Sequence, residues 1–252
     1  MSRSIPAGDY VEHFDRELPH HRAWLLAVLD KLVAHEPQAL EEGGTLRRLW
    51  TARQERGSAA PSPSPASPPA LAAGRANPLP VPWFAQLDSA TDEGRRMCFS
   101  SSCAMLLAFL KPGVLSGLNG DDQYLARVQQ FGDTTDPAAQ IQALASYGIT
   151  ARFSNQASFS TLEEQIATGI PVPCGYLHRG PVSRPAGGGH WLILVGITPT
   201  HLIVHDPLGE ADLVNGTTLG GIALFCRYSR RNLARRWMVE GEGTGWAVLA
   251  QG

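Results

Sequence analysis

The stretch GSAAPSPSPASPPALAAGRANPLP, residues 57–80, limits what this chain can fold into more than any other segment. Seven of the chain's 19 prolines fall within it. Proline at adjacent or alternate positions removes backbone donors and favours extended backbone, and the serines and alanines between offer little to a core. The stretch reads as a semi-rigid tether and a domain boundary; a role as a ligand for a proline-recognising partner is the weaker reading. It separates residues 1–56 from a main domain over 81–252, which is long enough to bury a substantial core.

Residues 1–56 read as a small helical module. HRAWLLAVLDKLVA places Trp24, Leu25, Val28, Leu29 and Leu32 at helical spacing, and GTLRRLWTARQ carries Leu46, Leu49 and Trp50 on one side. Two such helices form a unit that is marginal alone, so docking on the main domain is the alternative. His20, His21 and His35 of this module read as surface residues.

In the main domain the pattern begins helical and then changes period. VPWFAQ enters as an extended segment. Helices are expected over SSSCAMLLAFLKP, DDQYLARVQQFG and DPAAQIQALASYG, the last opened by Asp136 and Pro137 and stopped by Gly148. TARFS is a short strand, and FSTLEEQIATG a helix with Ser160 and Glu163 as its capping box. PVPCGYL, HWLILVGI, HLIVHD and GWAVLA then read as strands between glycine- and proline-rich loops. Helices followed by an antiparallel sheet define an α+β fold.

Composition excludes several classes of function. A formal charge of -2 gives no reason to expect a nucleic-acid partner, and the basic cluster RRNLARR reads as a solvated face. The N-terminus lacks the apolar core of a secretory signal. The longest apolar run, AMLLAFL, falls far short of the roughly 20 residues that span a bilayer. The expectation is synthesis as a soluble cytoplasmic protein without membrane insertion, compatible with later release by lysis or delivery on a phage particle. Four cysteines, Cys98, Cys103, Cys174 and Cys226, are too few for a disulfide scaffold. Without a CxxC pair or cysteine–histidine zinc spacing, no metal is expected. GGG is no phosphate loop, since no Lys-Ser or Lys-Thr pair follows it.

The chemistry gathers in four segments. Cys98 in MCFSSSCAMLLAFL stands at the first turn of a helix, where free backbone N–H groups and the helix dipole favour a thiolate. Cys103, among Ala104, Met105 and Leu106, reads as a small buried residue. From this stretch alone, Cys98 as nucleophile and Cys98 as core residue stand level. AGGGHWLILVGI sets His190 at the mouth of an apolar strand, and HLIVHDPLG puts Asp206 at the end of the next. A hairpin would lay them side by side, completing a thiol–imidazole–carboxylate system. Gln86 in VPWFAQ is a candidate oxyanion donor together with the Cys98 backbone N–H, although a lone glutamine is usually a loop residue. His178 lies on the loop bordering these residues, with site and loop roles equally open, and His205 reads as structural or exposed. Trp191, Trp237 and Trp246 read as core or cleft-rim residues.

VPWFAQ, CFSSSCAMLL, GGGHWLILVG and VHDPLG, in that order, resemble the bacteriocin-processing (double-glycine) peptidase-like group of papain-fold cysteine peptidases. The resemblance covers about 81–250. It implies a papain-like fold, Cys98 as nucleophile, His190 as general base, Asp206 as its orienter and Gln86 as oxyanion donor, with no cofactor. Phe99 departs from the family's frequent glycine after the nucleophile, which narrows the cleft or supplies an apolar wall. Nothing resembles the transmembrane and ATPase parts of the bacteriocin exporters. The chain is similar to stand-alone members from phages and bacteria, a group linked to wall degradation and phage structure. The implied activity is hydrolysis of a peptide bond in a protein or in peptidoglycan stem peptides, with 1–56 attaching the protein to a wall or phage particle. An acyl transferase with the same triad, and a non-catalytic phage structural or binding protein keeping the fold, are the alternatives.

Overall fold

The computed structural model describes residues 77–251. The helical reading of 1–56 and most of the tether, 57–76, lie outside them. Asn77–Pro80, assigned to the tether in sequence, instead lies against the sheet. The Asn77 side chain bonds both the carbonyl and the N–H of Ile197, at 2.8 and 2.9 Å, and the Leu79 N–H donates to the Val195 carbonyl at 2.7 Å. That carbonyl is free because the pairing slips between Leu194 and Gly196, a bulge that leaves Val195 unmatched. Gly196 admits the incoming chain, since a Cβ there would stand 2.6 Å from Asn77 Oδ1.

After a 3-10 turn at Gln86–Asp88 come α1 (Cys98–Leu110), α2 (Gly120–Val128) and α3 (Pro137–Ser146), as the apolar spacing predicts. Asp136 caps α3 by accepting the Ala138 N–H at 2.8 Å, with Pro137 at the first helical position. In α1 every residue from Phe99 to Leu107 is buried, which makes it the central helix. Two of its three serines are paired inward, while the buried Ser102 hydroxyl has no partner among the described residues. Ser100 shares a network with Thr134 and Gln140, at 2.7 and 2.8 Å, and Ser101 donates to Asp121 at 2.6 Å. These bonds fix the first turns of α1 against α2 and α3 without leaving those hydroxyls unsatisfied.

The second half supplies β1 (Ala151–Ala157), α4 (Phe159–Ala167), β2 (Val172–Tyr176), β3 (His190–Ile197) and β4 (His201–His205). A ribbon of β5 (Glu210–Asp212) and β6 (Thr217–Gly220) follows, then β7 (Cys226–Ser229), α5 (Arg230–Trp237) and β8 (Gly245–Ala250). Six strands form one antiparallel sheet in the order β1-β8-β2-β3-β4-β7. Every residue of β2 and nearly every one of β3 is buried, so helices close over these strands, α1 against both. The architecture is α+β, with the N-terminal helices packed on the C-terminal antiparallel sheet in a papain-like arrangement.

Two local expectations are corrected. The cap of α4 is Ser158 with Thr161, not Ser160 with Glu163, because β1 runs to Ala157 and the helix starts directly after it. Glu163 pairs with Arg230 instead. The RRNLARR segment is not simply a solvated face. It is α5, and its Arg236 is fully buried, donating to the carbonyls of Leu177, Arg179, Gly180 and Leu213. Five N–H donors on one planar group suit a guanidinium to collecting loop carbonyls.

Candidate active site

Cys98 is the first residue of α1 and is half-buried, whereas Cys103 and Cys174 are buried. Burial pushes the thiols of Cys103 and Cys174 far above the usual range, and that of Cys226 up to about 12. These three are poor nucleophiles on that ground. All four cysteines are free.

His190 opens β3, delivered by Gly189 at φ 91°, a left-handed conformation that a side chain would strain. Its partner across the sheet is Tyr176, and β4 returns antiparallel with His205 opposite Ile193. The chain leaves β4 at Asp206, whose Oδ1 lies 2.6 Å from His190 Nε2, both side chains almost wholly buried. Burial opposes a charge on the imidazole. The Asp206 carboxylate and then Cys98, acting through charge and hydrogen bond, outweigh it and raise His190 well above an ordinary histidine. With Nε2 taken by Asp206, Nδ1 is the nitrogen left for Cys98. The start of α1, the start of β3 and the residue after β4 thus contribute Cys98, His190 and Asp206, of which the last two are in direct contact.

Gln86 is buried and joins the two sides of the site. Its N–H donates to the Pro207 carbonyl at 2.9 Å, and its amide donates to the Gly94 carbonyl at 2.8 Å. Gly94 belongs to the loop leading into Cys98. One amide hydrogen is thereby committed, and the second has no partner among the described residues.

Several neighbours carry no signal in the sequence. Asp206 Oδ2 accepts from the hydroxyls of Tyr176 and Tyr228, at 3.2 and 3.4 Å, and Oδ1 also accepts the Leu208 N–H at 3.0 Å. The Asp206 carbonyl accepts Trp83 Nε1–H at 3.0 Å. These partners depend on strand register, which the sequence does not display. His178 sits with its ring centre 5.7 Å from that of His190, and burial first, then the His190 charge, lower its tendency to protonate. His205 is wholly buried with its ring against Phe225. Phe99 does not wall a cleft: it is buried and stacked on Trp191, centroids 3.6 Å apart. Trp237 is buried and Trp246 partly exposed, its ring beside Gly189.

Among the described residues no cluster of three or more His, Cys, Asp or Glu side chains could hold a metal, and no helix is long and apolar enough to cross a membrane. A cavity of about 270 Å³ lies where Arg152 of β1, Gln165 of α4 and Leu249 of β8 meet. None of the site residues lines it.

The papain-like scaffold and the family it matches define a cysteine-peptidase-like protein. The model of the Peptidase_C39 like family matches residues 78–220, more than half of the chain, and the chain belongs to that family. No curated protein matches the chain. A number of solved structures are similar at low identity. One is a double glycine motif protease from an AMS/PCAT transporter in complex with the leader peptide, 17% identical, TM-score 0.41, covering 70% of this chain and 94% of that one. Another, from Bacillus anthracis, is described as a C39-like peptidase, 17% identical, TM-score 0.48, covering 68% and 94%. A third is the peptidase domain of Streptococcus ComA, a bi-functional ABC transporter of a quorum sensing pathway, 16% identical, TM-score 0.40, covering 62% and 91%.

Proposed function

We propose that the protein hydrolyses a peptide bond through Cys98, His190 and Asp206, with Gln86 assisting at the oxyanion. The observation that carries this reading is the 2.6 Å contact between His190 and Asp206, buried on one side and turned to Cys98 on the other. His190 takes the Cys98 proton through Nδ1, giving a thiolate–imidazolium pair that Asp206 stabilises from Nε2. The thiolate adds to the scissile carbonyl. The second amide hydrogen of Gln86 and the Cys98 backbone N–H, unpaired at the helix start, receive the oxyanion. His190 then protonates the leaving amine, and water hydrolyses the thioester.

The substrate class proposed is a peptide segment of a protein or of peptidoglycan, with residues 1–56 as an attachment module to a wall or phage particle. The support for this part is the family resemblance alone. The test is to incubate the protein and its Cys98→Ala variant with a peptide panel and with purified peptidoglycan, and to analyse products by mass spectrometry. The parent should generate new amino termini, and the variant should lose about 10³-fold or more of that rate. Cleavage retained in Cys98→Ala would overturn the reading. Products extended by an added amine would redirect it to acyl transfer.

A further inference from the structure

Asp206 is wholly buried, and its two oxygens have different neighbours. Oδ1 faces His190 Nε2 and the Leu208 N–H. Among the described residues, Oδ2 faces only the Tyr176 and Tyr228 hydroxyls. The Tyr228 oxygen also accepts the Ala211 N–H at 2.7 Å, which leaves its own proton for Asp206. Tyr176 touches both members of the pair, since its ring meets that of His190 edge-on at 5.6 Å. Three strands, β2, β4 and β7, thus converge on one carboxylate.

We infer that Tyr176 and Tyr228 are positioning residues: their hydroxyls hold Oδ2 of Asp206 so that Oδ1 alone addresses His190, and the Cys98–His190 pair depends on both. The inference rests on the proposed cysteine chemistry. A carboxylate away from water keeps its charge only while donors surround it, and each lost donor favours its uptake of a proton. Without its donors Oδ2 is no longer held, Oδ1 no longer addresses His190 Nε2 alone, and the imidazolium beside Cys98 loses its support. Burial first, then the Asp206 charge, hold both phenols above their ordinary range, so they remain donors at neutral pH. The other charged or titratable groups around the two phenols and Asp206 are His178, Glu210, Cys226 and Arg236, none of which bonds Oδ2.

The test requires no known substrate. The rate of Cys98 alkylation by iodoacetamide is measured from pH 4 to 10 by peptide mapping, for the parent, Tyr176→Phe, Tyr228→Phe, the double variant, and each of these with Asp206→Asn. The parent should react at Cys98 well before Cys103, Cys174 or Cys226. Each Phe substitution should move the midpoint upward by up to about one pH unit, the size of one hydrogen bond to a charged group, and the pair together by more. In the Asp206→Asn background the same substitutions should move it no further, because the effect runs through the carboxylate. A merely structural role would lower the melting temperature and leave the midpoint in place. If Asp206→Asn shifts the midpoint but neither Phe variant does, the inference is wrong and the proposed function stands. Equal shifts with and without Asp206 also overturn it. A parent in which Cys98 reacts no earlier than the other three cysteines would sink both. Should Tyr176→Phe fail to fold, Tyr228→Phe alone decides.

Discussion

Two carboxylates are fully buried beside α1, and their surroundings differ sharply. Asp206 has four donors: an imidazole, a backbone N–H and two phenols. Asp121 has one side-chain donor, Ser101, and its Oδ1 has no partner among the described residues. Burial first, opposed by Ser101 and aided by the charges of Asp88 and Asp122, pushes Asp121 up to about 7. A carboxylate short of donors resolves its position by holding a proton. One surrounded by donors can serve as a fixed negative charge. The difference separates a group suited to the proposed chemistry from one that is tolerated in a core.

The largest expected effect lies with the poorly served group. The Asp121 value in the folded chain stands above the ordinary 3.8. Between these values the folded state binds more protons than the unfolded one, so stability falls as pH rises toward 7. The loss at pH 8 amounts to roughly 4 kcal/mol at 1.36 per unit. Asp121→Asn, which keeps an acceptor for Ser101, should remove most of it. Denaturant unfolding should show the variant more stable than the parent at pH 8 and little different at pH 4. His190, also raised, loses stability in the same direction but only above its unfolded value near 6.5, so that slope should survive in the variant. A parent with flat stability from pH 4 to 7 would erase the contrast between the two carboxylates.

Asp206→Asn comes next. In a serine triad the equivalent change costs about 10⁴ in rate because the amide imposes the wrong tautomer. Here the Leu208 N–H cannot turn away, so the amide oxygen takes the Oδ1 place and continues to face His190. The amide nitrogen falls at Oδ2, where phenol oxygens can accept as well as donate. Only the charge is lost, and kcat/KM should drop about 10- to 100-fold at an unchanged melting temperature. A loss near 10⁴ would mean that the amide had turned. Activity equal to the parent would leave Asp206 as a turn residue before Pro207.

Much of this was legible in the sequence, for reasons that differ by region. The apolar run at Ala104–Leu107 and the short β-branched run of HLIVH announce α1 and β4 directly, and Asp136-Pro137 marks the start of α3. The hairpin expected to bring Asp206 back to His190 is formed by β3 and β4. The β5–β6 ribbon, β7 and α5 were not legible. Their strands run three or four residues, and α5 carries four arginines in eight positions, a pattern that reads as solvent-facing until the loop carbonyls around Arg236 are seen. Phe99, standing where the family often has glycine after the nucleophile, suggests in sequence a narrowed cleft or an apolar wall. Its stacking partner, Trp191, is set only by how α1 crosses β3.

The smallest effect tests whether the two carboxylates are separable at all. Ser101 stands one turn after Cys98 on α1, so it connects the starved carboxylate to the helix that carries the thiol. Ser101→Ala removes the one side-chain donor of Asp121. A hydrogen bond to a neutral carboxyl contributes about 1 kcal/mol and one to a charged carboxylate about 1.5–3. The variant should therefore lose about 1 kcal/mol more at pH 8 than at pH 5, or about 2–4 °C in melting temperature for a domain of this size. With Asp121→Asn in place, that pH dependence should vanish, since no charge remains to be served. Cys98 alkylation at pH 6 should stay within about twofold of the parent, because His190 and Asp206 address the thiol from β3 and the end of β4 and share no bond with Ser101. A larger fall would show that the serine network under α1 sets the thiol's position, and that Asp121 belongs to the same machinery as Asp206.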